Sequence, residues 1–154
     1  MKSCVVMGAA CAVLCACTTT YTPGPDPIPV IGAQLIGSTG GCVDVQDGGT
    51  ADGTPVILFH CHGSPNERWF ISQGRISESF GSCLDVQGGA PNAGSPLVLT
   101  TCNGAPTQAW AISNGQIVGP GGKCVDVTGS STADLTPLIL ADCNASPSQR
   151  WTVQ

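Results

Sequence analysis

A fixed step of 41 residues runs through this chain: it relates Cys42, Cys83 and Cys124, and equally Cys61, Cys102 and Cys143. Trp69, Trp110 and Trp151 keep the same step, as do Asp44, Asp85 and Asp126, and Pro55, Pro96 and Pro137. A period of this size marks one supersecondary unit repeated, and units too small to bury an apolar face alone must share a core. Each copy has a short apolar stretch (Leu35-Ile36, Ile76, Ile117), then Gly-x-Cys-[Val/Leu]-Asp-Val and a turn rich in Gly, Asn or Asp. A Thr/Ser-Pro pair follows, then an apolar run such as Val56-Ile57-Leu58, the second Cys, and a closing Trp. This order predicts four short β segments per copy, joined by turns.

Composition agrees: 21 Gly and 12 Pro among 154 residues favour many tight turns over long helices. The expected fold is all-β, a β-trefoil of three four-stranded units round a pseudo-threefold axis, at about residues 30–70, 71–111 and 112–154. Closure of this kind removes exposed sheet edges, and it brings the last strand, near Thr152-Val153, beside the first. The period also selects one cysteine pairing: Cys42 with Cys61, Cys83 with Cys102, and Cys124 with Cys143. Each bridge closes a loop of about twenty residues, worth roughly 3 kcal/mol in the chain-entropy account. Disulfides imply an exported, oxidising compartment. Zinc is the competing use of Cys and His, but the spacing lacks a metal knuckle, and no metal or cofactor is expected.

The N-terminus, MKSCVVMGAACAVLCAC, has Lys2 ahead of a short apolar run, the pattern of a secretory signal too short to span a bilayer. Leu14-Cys15-Ala16-Cys17 resembles a bacterial lipobox, which implies a lipoprotein signal over residues 1–16 and lipidation of Cys17. The alternatives are a plain signal peptide, or lipidation at Cys11 or Cys15. Acyl chains add roughly 0.8 kcal/mol per buried methylene, so membrane attachment through lipid is expected rather than through a helix. Residues 17–29 are Thr- and Pro-rich and read as a semi-rigid spacer. Thr18 after the lipidated Cys favours an outer-membrane or surface location, with a secreted or periplasmic soluble protein as the alternative. The formal charge of −5, with few and scattered Lys and Arg, sets nucleic-acid binding aside. A monomer is expected.

Cys-[Val/Leu]-Asp-Val, the second Cys, and Gln-x-Trp at Gln108-Ala109-Trp110 and Gln149-Arg150-Trp151 resemble ricin B-type lectin domains, the group that includes family 13 carbohydrate-binding modules. The resemblance covers about residues 30–154. It implies a core Trp in each unit and a shallow sugar pocket beside it. There the Asp accepts hydrogen bonds from vicinal hydroxyls, and an aromatic residue two before the second Cys covers the sugar's C–H face. Polar residues after that Cys and next to Gln-x-Trp complete the contacts.

Carried over to this sequence, the first unit offers Asp44, Phe59, His62, Asn66 and Glu67. The second offers Asp85, Asn103 and Gln108, with Thr100 at the stacking position, and the third offers Asp126, Asn144 and Gln149, with Ala141 there. Only the first unit has a platform. It also sets a second carboxylate, Glu67, against Asp44 where the other units have Gln, and such a pair drives one pKa up unless a cation such as Arg68 intervenes. Ile57, Val98 and Ile139 are apolar where many family pockets hold Gln, so weak affinity is expected.

The resemblance therefore implies a non-catalytic glycan- or polysaccharide-binding module. The alternative is a surface-structural or protein-interaction trefoil with degenerate pockets. The aspartates can equally cap turns, Phe59 can be ordinary half-buried surface, and His60 with His62 on one strand face could ligate a metal or simply meet solvent. A two-carboxylate hydrolase on Asp44 and Glu67 fits poorly, because their closeness leaves no defined gap for acid and base.

Overall fold

Every Cys-[Val/Leu]-Asp-Val segment becomes the second strand of its repeat, and the apolar run after the Thr/Ser-Pro pair becomes the third. The computed structural model describes residues 30–154, so the expected signal 1–16, Cys17 and the spacer 17–29 lie outside the described residues. The first repeat holds β2 (Leu35–Gly37), β3 (Cys42–Val45), β4 (Val56–Phe59) and β5 (Trp69–Ser72). The second holds β6 (Arg75–Glu78), β7 (Ser82–Val86), β8 (Leu97–Thr101) and β9 (Ala111–Ser113). The third holds β10 (Gln116–Val118), β11 (Cys124–Val127), β12 (Thr136–Ala141) and β13 (Trp151–Val153). A further strand, β1 (Val30–Ala33), precedes them and pairs antiparallel with β5. The repeated set of strands thus begins with β2, and β1 is an addition ahead of it.

The outer strands pair as β13 with β2, β5 with β6, and β9 with β10. The inner strands form the hairpins β3–β4, β7–β8 and β11–β12. The repeated prolines tie these hairpins into a ring, Pro55 opposite Val98, Pro96 opposite Ile139 and Pro137 opposite Ile57. Proline suits a position where a strand begins and no ladder N–H is required. This is the expected β-trefoil.

Period-two alternation divides the hairpins by face. Val43, Val45, Val56 and Leu58 point into one core, together with Leu84, Leu99, Val125, Leu140 and the three tryptophans. Each indole N–H donates to the backbone carbonyl of its own repeat's second strand: Trp69 to Val43, Trp110 to Leu84 and Trp151 to Val125. All three expected disulfides form, with Cα–Cα distances of 5.1, 5.0 and 5.1 Å.

The loops between the inner strands interlock in a circle. Asp52 accepts from the Thr101 N–H (2.6 Å), linking the first repeat to the second, and Gly94 N–H donates to the Leu140 carbonyl (2.7 Å), linking the second to the third. The third repeat returns to the first through Asp134, whose carboxylate accepts from the His60 N–H at 2.7 Å and lies 2.8 Å from the His60 ring.

Candidate functional site

Asp44 and Ile57 are opposite one another in the β3–β4 ladder, on the side away from the core. Together with Asp47, Phe59, His62, Asn66 and Leu135 they line an open pocket of about 200 Å³. Four of the five first-repeat candidates thus share one cavity, and the fifth, Glu67, lies fully buried behind it. Phe59 is half-buried at the end of β4, and its ring packs edge-on to the His62 ring at 5.7 Å between centroids.

The carboxylate of Asp44 is buried, and Asn66 Nδ2 donates to both of its oxygens at 2.9 Å. Burial lifts its pKa to about 6, helped by the Glu67 carboxylate and opposed by the Asn66 and His62 contacts. Glu67 Oε2 accepts three hydrogen bonds, from the N–H groups of His62 (3.0 Å) and Gly63 (2.7 Å) and from Gln34 Nε2 (2.9 Å). Its other oxygen, Oε1, is buried without a hydrogen-bond partner.

The sister repeats explain this layout. Gln108 Oε1 accepts from the N–H groups of Asn103 and Gly104, while its Nε2 donates to Asp85 at 3.0 Å. Gln149 likewise accepts from the Asn144 N–H and donates to Asp126 at 3.0 Å. Glu67 keeps the accepting half of this bracket and loses the donating half.

Arg68 does not supply the missing cation: its guanidinium donates to the Gly32 carbonyl. His62 stands there instead, its Nε2 3.3 Å from Asp44 Oδ2 and 3.5 Å from Glu67 Oε1. Asp44, His62 and Glu67 each bring one possible metal-ligand atom within 4.8 Å of the others. However, the Ser64 N–H lies 3.3 Å from His62 Nδ1, which makes Nδ1 an acceptor and leaves the proton on Nε2, facing the carboxylates. Asn103 and Asn144 accept the equivalent N–H bonds in their repeats, from Ala105 and Ser146. His62 therefore turns the N–H side of its ring toward the two acids, nearer to Asp44 than to Glu67. His60 and His62 lie beyond β4, which ends at Phe59; their rings are still neighbours, 5.6 Å between centroids, with His60 held by Asp134.

The weaker candidates are engaged within their own repeats. Asp85 accepts from Thr100 Oγ1 (2.6 Å), the Val86 N–H (2.7 Å) and Gln108. Burial would raise its pKa, but these bonds and one from Thr107 together hold it below the usual value. Asp126 accepts from Gln149, and its second oxygen is buried without a partner.

Sequence reasoning missed Asp47 and Leu135. Both have left-handed backbones, φ 55° and 66°, at positions where the sister repeats carry glycine: Gly88 and Gly129 for Asp47, Gly53 and Gly94 for Leu135. The loss of glycine from a turn register was the available signal.

Three disulfide-braced repeats closed round one core, with an acid and an aromatic ring converging on a rim pocket, define a trefoil module of the lectin type. The chain belongs to the ricin-type beta-trefoil lectin domain family, whose family model matches residues 32–151. Its fold is similar to that of the designed threefold-symmetric protein ThreeFoil, at 25% identity and a TM-score of 0.72, covering 79% of this chain and 96% of that one. It is also similar to a non-toxic homologue of type II RIPs from Momordica charantia (bitter gourd), solved in complex with α-methyl-D-galactoside, at 26% identity and a TM-score of 0.73. That match covers 83% of this chain and 48% of the other. Among curated proteins, the chain is 43% identical over 35 residues to the probable lipoprotein EnvE of Salmonella typhimurium, a stretch covering 23% of this chain and 20% of that protein.

Proposed function

We propose that this protein is a non-catalytic glycan-binding module of an exported, lipid-anchored protein, with its principal saccharide site in the first repeat. Asp44 accepts from two vicinal hydroxyls, Phe59 covers the C–H face of the ring, and Asn66 and His62 orient the acid and the sugar. Glu67 braces the site from behind. The observation that carries this reading is the convergence of Asp44, Phe59, His62 and Asn66 on one pocket. In the other repeats the platform position holds Thr100, which is itself bonded to Asp85, and Ala141. The bitter-gourd homologue, solved with a galactoside, supports saccharide as the ligand class.

Lipidation at Cys17, the signal over residues 1–16 and the spacer 17–29 complete the reading. The partial match to a probable lipoprotein supports the anchor, and the three disulfides support a location outside the cytoplasm. Many copies on one membrane would convert weak single contacts into avidity.

A glycan array probed with the purified protein, beside Asp44→Ala and Phe59→Ala, tests the function. Binding that both substitutions abolish is the expected result. A silent array, or binding indifferent to both, replaces it with the interaction-scaffold reading. Metabolic labelling with a radiolabelled fatty acid tests the anchor separately, with Cys17→Ala expected to remove the label.

A further inference from the structure

The pocket is not built from the first repeat alone. Leu135 comes from the β11–β12 loop of the third repeat, more than seventy positions along the chain from Phe59, and forms part of the lining. The residue after it, Thr136, is opposite Leu58 in the β12–β4 pairing, which sets Leu135 beside the Phe59 end of β4. Asp134, one residue earlier, holds the loop down on His60.

Two features of Leu135 lack a structural explanation. The residue is 57% exposed, so the core gains little from it. Its φ of 66° is a conformation that L residues with bulky side chains avoid, and the equivalent Gly53 and Gly94 adopt positive φ without that penalty. Among the described residues it is the only large apolar side chain at positive φ; the others are Asp47, Gln73, Asn114, Ser130 and Ala145. An exposed leucine held in a disfavoured conformation on the lip of a binding pocket calls for a contact that repays it.

Building on the saccharide reading of this pocket, we infer that Leu135 is a specificity-determining residue that selects sugars carrying a methyl group close to the vicinal diol. The lining divides into a polar side, Asp44, Asp47, His62 and Asn66, and an apolar side, Ile57, Phe59 and Leu135. A sugar whose hydroxyls meet Asp44 and whose C–H face meets Phe59 presents its remaining substituent to Leu135. A hydroxyl or hydroxymethyl set against the Leu135 side chain finds no hydrogen-bond partner on it and exchanges part of its water for apolar contact. A methyl loses nothing and gains apolar contact. Uronates and other anionic sugars are disfavoured by Asp44, Asp47 and the nearby Asp134. The chemistry admits two sources of the methyl, an N-acetyl group or a 6-deoxy carbon.

Matched pairs distinguish them. The purified protein is titrated with N-acetylglucosamine and glucose, N-acetylgalactosamine and galactose, and L-fucose and L-galactose. In one or more pairs the methyl-bearing member is expected to bind about tenfold more tightly, the lower end of what a methylene-sized apolar contact is worth. Leu135→Gly, which restores the sister-repeat residue and relieves the backbone, is expected to unfold at or above the wild-type temperature. Its loss of affinity should fall mainly on the methyl-bearing members, narrowing the preference to about twofold. A preference unchanged in Leu135→Gly overturns the role of Leu135, and equal or tighter binding of the parent sugars overturns methyl selection. Failure of every sugar to bind overturns the saccharide reading itself, and this inference with it.

Discussion

Asn66 Nδ2 stands 2.9 Å from each of the two carboxylate oxygens of Asp44. One amide thereby fixes the plane of the acid and counters the burial and the Glu67 charge that raise its pKa. Asn66→Ala is expected to move the Asp44 midpoint above its present value of about 6, as read by carboxyl ¹³C NMR titration. Saccharide affinity should fall about tenfold by calorimetry, the scale of one hydrogen bond to a charged group. An unmoved midpoint would show that the amide does not hold the acid in solution.

Asp44 also sets a pH dependence. Between about pH 4 and pH 6 the folded chain keeps a proton on Asp44 that the unfolded chain has released, so its contribution makes stability fall as pH rises through that window and stay flat above it. The whole effect is worth at most about 3 kcal/mol. Denaturant melts of wild type and Asp44→Asn across this range should differ in slope with that sign. Equal slopes would remove the buried-acid account.

Ligand binding should run the other way, because the ionised acid is the better acceptor. With a midpoint of about 6, roughly a tenth of Asp44 is ionised at pH 5, so affinity should be about tenfold weaker than at pH 7. Titration of any sugar found to bind checks this, and pH-independent affinity would exclude Asp44 as the acceptor.

Glu67→Gln should stabilise the protein. The new amide nitrogen replaces the orphaned Oε1 and can donate to Asp44 as Gln108 and Gln149 donate to Asp85 and Asp126. A gain of about 1–2 kcal/mol is expected, several degrees in Tm. The Asp44 midpoint should drop at the same time as a neighbouring charge is removed. A lower Tm would mean that Glu67 Oε1 has a partner in solution.

The bridges are expected to act independently. Replacing Cys83 and Cys102 together by Ala should cost about 3 kcal/mol, measured by chemical unfolding, and leave the first-repeat site able to bind. Loss of binding without loss of fold would show that the second repeat supports the site across the ring.

The trefoil and its disulfides were legible because Cys, Trp, Asp and Pro each keep one step through three copies. No residue outside the repeat is needed to infer them. Phe59, His62 and Asn66 were legible as departures from the sister repeats, and the structure brings all three to Asp44. Contacts that cross the ring were not. Asp134 meets His60, and Leu135 lines the Phe59 pocket, through loops that a reading repeat by repeat keeps apart. The choice of His62 over Arg68 as neighbour of the two acids was equally hidden, because Arg68 finds the Gly32 carbonyl on a strand that precedes the first repeat. That strand pairs with β5, outside the repeated set of strands.

Gln34 and Gln154 exchange backbone hydrogen bonds at 2.7 and 3.0 Å, so the closed ring begins and finishes at a single seam. The order in which the three copies are translated is then an accident of where that seam falls. A circular permutant joined there through a short linker and opened at the Asn92-Ala93 turn should regain the same architecture.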